Sequence, residues 1–230
     1  MGTITTAQSL RRHLAALSKL YPVGATLTDP LQLILWENIG YLIDDDRRQA
    51  LFAEFRTRVG LTPQAIAAAD GPVLFDIARR GGMRPETRVA RWREIARIVL
   101  DRCGGDLDGA LRALPLPKAR ALLKAFPVIG DPGADKVLLF SGLSPQPCLD
   151  SNGVRVLARL GLFPEQTSYA VSYRAAIEVL KTQGLASREE LAAAFVLLRE
   201  HGKALCKRGG PLCAACPLDG DCAHAVVGEL

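Results

Sequence analysis

Four cysteines crowd the end of the chain: CKRGGPLCAACPLDGDC sets Cys206, Cys213, Cys216 and Cys222 at C-x6-C-x2-C-x5-C spacing. Four thiolates this close can share one metal centre. Zinc sites usually draw on two separated C-x2-C pairs or on a cysteine–histidine mixture. Here all four ligands wrap one short loop, as a compact iron–sulfur core requires. The spacing therefore favours iron–sulfur, with zinc as the alternative and reduced free thiols third. Cys103 and Cys148 stand apart, and a secreted disulfide scaffold would spread its cysteines through a much shorter chain.

Two carboxylates stand out. Asp150, in PCLDSNGVRVLARLG, is placed to cap a helix running from Ser151 to Leu160. Glu37, in DPLQLILWENIGYLIDDD, shares a helical face with Leu33, Ile34, Gly40 and Tyr41. An isolated buried carboxylate is costly unless protonated or bonded. On this stretch alone Glu37 reads as an edge residue that reaches water.

The elements that must position these groups are helices. Ala, Leu, Arg and Glu fill the periodic segments and alternating β-branched runs are scarce, so the fold class is all-α. Helices are predicted over 6–20, 30–43, 46–58, 63–69, 72–80, 86–102, 107–113, 117–125, 132–141, 151–160, 168–182 and 187–201. Asp29-Pro30, Thr62-Pro63 and a Ser187–Glu190 capping box mark three of the starts. With 230 residues, 49% of them hydrophobic, the chain can bury a substantial core. No apolar run approaches the ~20 residues of a membrane span. Arg11, Arg12 and Lys19 without a nearby acid are compatible with a transit peptide but read better as an amphipathic helix. MGTITT fits a myristoylation pattern that would anchor only marginally. A net charge of +5 is a weak pointer to an acidic partner such as nucleic acid.

The cysteine spacing, at the end of a helical chain, resembles the [4Fe-4S] loop of the endonuclease III and MutY DNA glycosylases. PKARALLKAFPVIGDPGADKVLLF, 117 to 140, is similar to their helix-hairpin-helix, and the Asp150 segment is closest to the MutY form. P-L-Q-L-I-L-W-E is similar to the MutY-type segment that ends in a catalytic glutamate. The resemblance implies two all-α lobes: a helical barrel over 25–143 carrying the hairpin, and a cluster lobe joining 1–24 with 144–230, with Asp150 at the cleft between them.

By that resemblance Asp150 is the catalytic aspartate, Asn152 a hydrogen-bonding partner near the sugar, and Glu37 a general acid for the departing base. Gly40 would leave room for a flipped base. Val128, Gly130 and Gly133 of the hairpin would face a DNA phosphate, with Val128 where the family has its first hairpin glycine. Lys207 and Arg208 would contact phosphates, and Tyr41, Met83 and Arg84 would enter or flank the duplex. Cys206, Cys213, Cys216 and Cys222 would hold a structural [4Fe-4S] cluster. Bifunctional relatives place a nucleophilic lysine at the position of Pro132, so a monofunctional enzyme without strong lyase activity is expected. Lys124 and Lys136 are expected to face solvent or phosphate. The expected activity is base excision from double-stranded DNA carrying a lesion or mismatch, with a purine favoured. The chain is expected to be monomeric and to work in the bacterial nucleoid or a eukaryotic nucleus or organelle. The alternatives are a non-catalytic DNA-binding or damage-sensing protein, a pyrimidine-lesion glycosylase of endonuclease III type, and a zinc-bound helical interaction module.

Overall fold

The computed structural model describes residues 6–228, so residues 1–5 of the MGTITT pattern lie outside the described residues. The chain divides into two compact units, 27–144 and the two chain ends 1–26 with 145–230. Among the described residues there is no β-strand, only a single isolated bridge between Tyr41 and Gly82, and the fold is all-α. No described helix is long and apolar enough to cross a membrane.

The chain-end unit begins with α1 (Thr6–Ser18), whose Leu10, Leu14 and Leu17 enter the core. The middle unit follows as α2 (Pro30–Asn38), α3 (Asp45–Arg58), α4 (Pro63–Ala68), α5 (Gly71–Ala78), α6 (Pro85–Cys103), α7 (Leu107–Arg112), α8 (Leu116–Leu123) and α9 (Asp131–Phe140). The chain then returns to its end unit with α10 (Ser151–Arg159), α11 (Tyr169–Thr182), α12 (Arg188–Ala204) and α13 (Ala223–Gly228). Two 3-10 turns, Cys213–Ala215 and Asp219–Asp221, interrupt the cysteine loop. These turns and α13 had no periodic signal in so short a loop.

The sequence starts hold where a side chain caps. Asp29 accepts from Gln32 N, Thr62 from Ala65 N, and Ser187 with Glu190 forms the full capping box. The clearest difference is α2, predicted to run to residue 43 but ending at Asn38. There the buried Asn38 amide donates to Ile34 O and Pro127 O, both at 3.0 Å, and Tyr41 N leaves the helix to donate to Gly81 O at 2.9 Å. Tertiary hydrogen bonds thus replace the next helical turn.

In the middle unit, α6 is the central helix, burying Trp92, Ile95, Ala96 and Val99. Trp92 meets Phe55 edge-on at 4.8 Å and donates its indole N–H to Asn38 O at 3.2 Å. In the chain-end unit, α10 packs on α12 through two glycines. A Cβ on Gly202 would lie 2.7 Å from Asn152 Cβ, and one on Gly153 would lie 2.8 Å from Leu149 Cδ2. Hydrogen at Gly202 lets α12 approach the start of α10, and hydrogen at Gly153 leaves room for the Leu149 side chain that precedes that helix.

Candidate active site and cysteine centre

Cys206 follows the last turn of α12, its N–H donating to His201 O at 2.9 Å. The 3-10 turns then bring Cys213, Cys216 and Cys222 round so that all four cysteines line one pocket with Val156, Leu160, Leu205, Leu212 and Leu218. All four are free thiols, and among the described residues no group of three His, Cys, Asp or Glu side chains is placed to hold a metal ion. The donor chemistry nevertheless fits a cationic core. Burial pushes the Cys216 thiol up, and the charges of Cys222, Cys206 and Cys213 push it further despite an opposing hydrogen bond involving the Leu218 backbone. Four thiolates together therefore need a compensating positive centre. Arg159 braces the loop, donating to Lys207 O (2.7 Å), Arg208 O (3.1 Å) and Cys206 Sγ (3.4 Å), which leaves the Lys207 and Arg208 side chains exposed. His201, buried, lies 3.5 Å from Cys216 Sγ and 3.4 Å from Tyr21 Oη.

Asp150 is the N-cap of α10. Its Oδ1 accepts from Asn152 N and Gly153 N, both at 2.9 Å, and its Oδ2 accepts from Asn152 Nδ2 at 2.8 Å. Arg199 of α12, one turn before Gly202, puts its Nε 3.7 Å from Oδ2. Asn152 is in turn held by the buried Arg155, which donates to Asn152 Oδ1 (2.9 Å), Gly202 O (2.8 Å) and Cys206 O (3.0 Å). A continuous chain of hydrogen bonds therefore joins the aspartate to the cysteine loop. An open pocket of about 340 Å³ beside it is lined by Ser151, Asn152, Arg155, Lys203, Lys207 and Arg208, a basic concavity suited to an anion. Burial first, then the charge of Asp150, pushes the Tyr169 phenol up to about 12. Arg155, Arg199 and Tyr169 were not singled out in the sequence, where each is an ordinary helical residue.

In the other unit, the turn between α8 and α9 has its left-handed residue at Val128 (φ 68°), exposed at its tip. A β-branched residue pays about 1–2 kcal/mol of strain in that conformation. Gly130 is extended (φ −90°), and a Cβ on it would meet nothing closer than Pro132 Cδ at 3.9 Å. Gly133 packs against Ile129, 3.4 Å from where its Cβ would be. Lys124 does not face open solvent alone: it pairs with Asp131 at 2.7 Å, as does Arg120 at 3.0 Å.

Glu37 lies in the last turn of α2, and Lys136 of α9 places its Nζ 2.6 Å from Oε1. The lysine side chain is only 17% exposed and the glutamate 31%. Lys136 was expected at solvent or phosphate; the short α2–α9 approach, fixed by Asn38, brings it to Glu37 instead. The space expected at Gly40 is filled, since a Cβ there would be 2.2 Å from Ile43 Cδ1. Beyond it two loops are pinned together by Tyr41 N and Gly81 O, and they present Tyr41, Leu42, Met83 and Arg84 to solvent. Leu42, 77% exposed, and Arg84 both have left-handed backbones (φ 55° and 57°). Leu42 was missed because an isolated leucine carries no signal of exposure.

A helix-hairpin-helix, an aspartate-capped helix and a four-cysteine loop on an all-helical chain together define a class, the helix-hairpin-helix DNA glycosylases. No family model matches the chain. It is 29% identical over 174 residues to an endonuclease III of Sulfolobus acidocaldarius, covering 75% of this chain and 72% of that protein. It is 26% identical over 208 residues to the endonuclease III of Thermotoga maritima, covering 89% and 87%. Among solved structures it superposes on an endonuclease III trapped as a covalent intermediate with DNA, with TM-score 0.77, 19% identity and 99% and 100% coverage. A thermostable thymine-DNA glycosylase follows with TM-score 0.76 and 14% identity over 97% and 100%. These likenesses support a DNA glycosylase of the helix-hairpin-helix superfamily.

Proposed function

We propose that the protein is a monofunctional base-excision glycosylase that hydrolyses the N-glycosidic bond of a flipped base in double-stranded DNA, with a purine favoured. The observation that carries this reading is Asp150: a carboxylate held by two backbone N–H groups and the Asn152 amide at a helix N-terminus. An ionised carboxylate fixed in this way stabilises the positive charge that develops on deoxyribose as the bond breaks. Asn152 keeps it oriented. Glu37 supplies the proton to the departing base, and water adds to the sugar, because Pro132 stands where a nucleophilic lysine would be needed.

In this reading the unit of residues 27–144 is the barrel domain with the hairpin, and the chain-end unit is the cluster domain. A [4Fe-4S] cluster held by Cys206, Cys213, Cys216 and Cys222 would organise the loop, and the shared pocket and mutual charge of these thiols support it. The hairpin around Val128, Gly130 and Gly133 takes a phosphate, and Lys207 and Arg208 take others. Tyr41, Met83 and Arg84, joined by Leu42, are the side chains that enter the duplex where the base leaves it. The MutY-like letters of the Asp150 segment support a purine, whereas two relatives carry the endonuclease III name and a third is a thymine-DNA glycosylase.

The test is a panel of duplexes, each bearing one damaged or mispaired base, incubated and then cleaved with alkali. Release of a base, with no covalent adduct on adding borohydride, is expected. Efficient borohydride trapping would contradict the monofunctional reading, and no release from any duplex would favour a non-catalytic damage-sensing protein.

A further inference from the structure

Protonating a departing base requires a proton, yet the Glu37 carboxylate lies 2.6 Å from the ammonium of Lys136, as half of an ion pair. We propose that Lys136 is the proton source for base release, acting through Glu37 as a positioning residue, an inference that rests on the reading of Glu37 given above. The two groups are held in register from both sides. Glu37 is fixed by the neighbouring Asn38, whose amide ties α2 to the hairpin at Pro127 O, and Lys136 projects from the second turn of α9 with most of its stem buried.

Charged groups on the surrounding elements have bonds of their own. Arg120 of α8 binds Asp135 and Asp131, and Lys124 binds Asp131. Arg48 of α3 donates to Trp36 O, Arg88 of α6 to Ala78 O and Met83 O, and Arg112 of α7 pairs with Asp108.

The exposed part of the ion pair, 31% of the glutamate side chain and 17% of the lysine, is supported by water. When DNA covers it, separated charge loses that support and becomes expensive. The same atoms with the same single proton can instead form a neutral amine beside a carboxylic acid. In the step, the proton passes from Nζ to the Glu37 carboxylate, and the acid O–H then protonates the base as the C1′–N electron pair leaves with it. Water adds its hydroxyl to C1′, and its remaining proton returns through solvent to Lys136. The bond broken is C1′–N, the bonds formed are C1′–O and base N–H, and the ion pair is restored.

The discriminating variant is Lys136→Arg, which keeps the cation but does not release its proton near neutral pH. The full chain, as isolated anaerobically, is assayed under single turnover on the duplex from the panel that loses its base. Lys136→Arg and Lys136→Met are both expected to slow release by about 100-fold, within the usual range for a lost general acid. Affinity for DNA should stay within about threefold of wild type, since an acid acting only in the transition state changes rate rather than binding. Restoration by arginine to near wild-type rate would overturn the proposal and leave Lys136 as a purely electrostatic clamp. Unimpaired release by Glu37→Gln would instead remove the Glu37 reading on which it rests. A second measurement does not depend on turnover. In ¹³C-lysine spectra, with the Lys136 signal assigned by its loss in Lys136→Arg, the group should read as ammonium in the free protein. It should read as amine at neutral pH on a duplex containing the non-cleavable 2′-fluoro analogue of the nucleotide that the panel identifies. A signal that stays ammonium in that complex would overturn the proposal.

Discussion

Replacing Arg155 with methionine removes the guanidinium while keeping an unbranched apolar stem. In the native protein that group donates to Cys206 O at 3.0 Å, Gly202 O at 2.8 Å and Asn152 Oδ1 at 2.9 Å from a site only 7% exposed. Asn152 and Gly202 both border the open pocket, and the Asn152 side chain can turn to water, while Gly202 is otherwise buried and Cys206 half-buried. Leaving a buried acceptor unsatisfied costs ~1–3 kcal/mol, so two of them amount to about 2–4 kcal/mol after partial relaxation. The direct assay is amide hydrogen exchange. Protected amides of α10 and α12 should exchange about 30- to 1000-fold faster in the variant, the factor corresponding to that energy. Both tryptophans, Trp36 and Trp92, lie in the other unit, so their fluorescence at low denaturant is an internal control that should not change. Base release should fall as well, because Asp150 loses the support that Arg155 gives through Asn152. Exchange in α10 and α12 within about twofold of wild type would refute the claim that Arg155 ties these elements together.

Other perturbations bear on separate parts of the molecule. Gly82→Ala forces a Cβ to within 2.2 Å of Tyr41 O at a left-handed φ of 94°. It should separate the two loops that carry Tyr41, Leu42, Met83 and Arg84, read as faster proteolysis at residues 40–44 and 81–85 and weaker DNA binding. Arg11, then the Ser187 and Ala186 amides, hold the Glu190 carboxyl down at about 2 from an ordinary 4.5. A depressed carboxyl contributes stability that is present above pH ~4.5 and lost as pH falls towards 2, so Glu190→Gln should narrow the gap between the melting temperatures at pH 5 and pH 2.5. Cys213→Ser should lower iron and sulfide bound per chain in an anaerobic preparation; a colourless wild-type protein carrying one zinc would contradict the cluster.

What the sequence made legible follows from how local each signal is. Asp150, Asp29, Thr62 and Ser187 are caps whose bonds reach only two or three residues ahead, and each is found at its helix start. The all-helical class follows in the same way from periodicity within single segments. The end of α2 was not legible, because it depends on Asn38 bonding to Pro127, 89 residues away. Lys136 at Glu37 spans 99 residues, and Arg155 at Cys206 spans 51; neither partner carries any local mark of the other. Val128 shows the opposite case. It stands where the family has a glycine, and it adopts the left-handed backbone that a β-branched residue disfavours.

The central claim is that Asp150 performs base release, and the most direct test is Asp150→Asn. The amide can still accept at the helix N-terminus, so the fold and the α10 cap should survive. On the duplex from which wild type releases a base, the variant should bind with affinity within a few-fold of wild type while single-turnover release falls by at least about 100-fold, the scale of a lost electrostatic stabiliser. Release at near wild-type rate with binding intact would contradict the account.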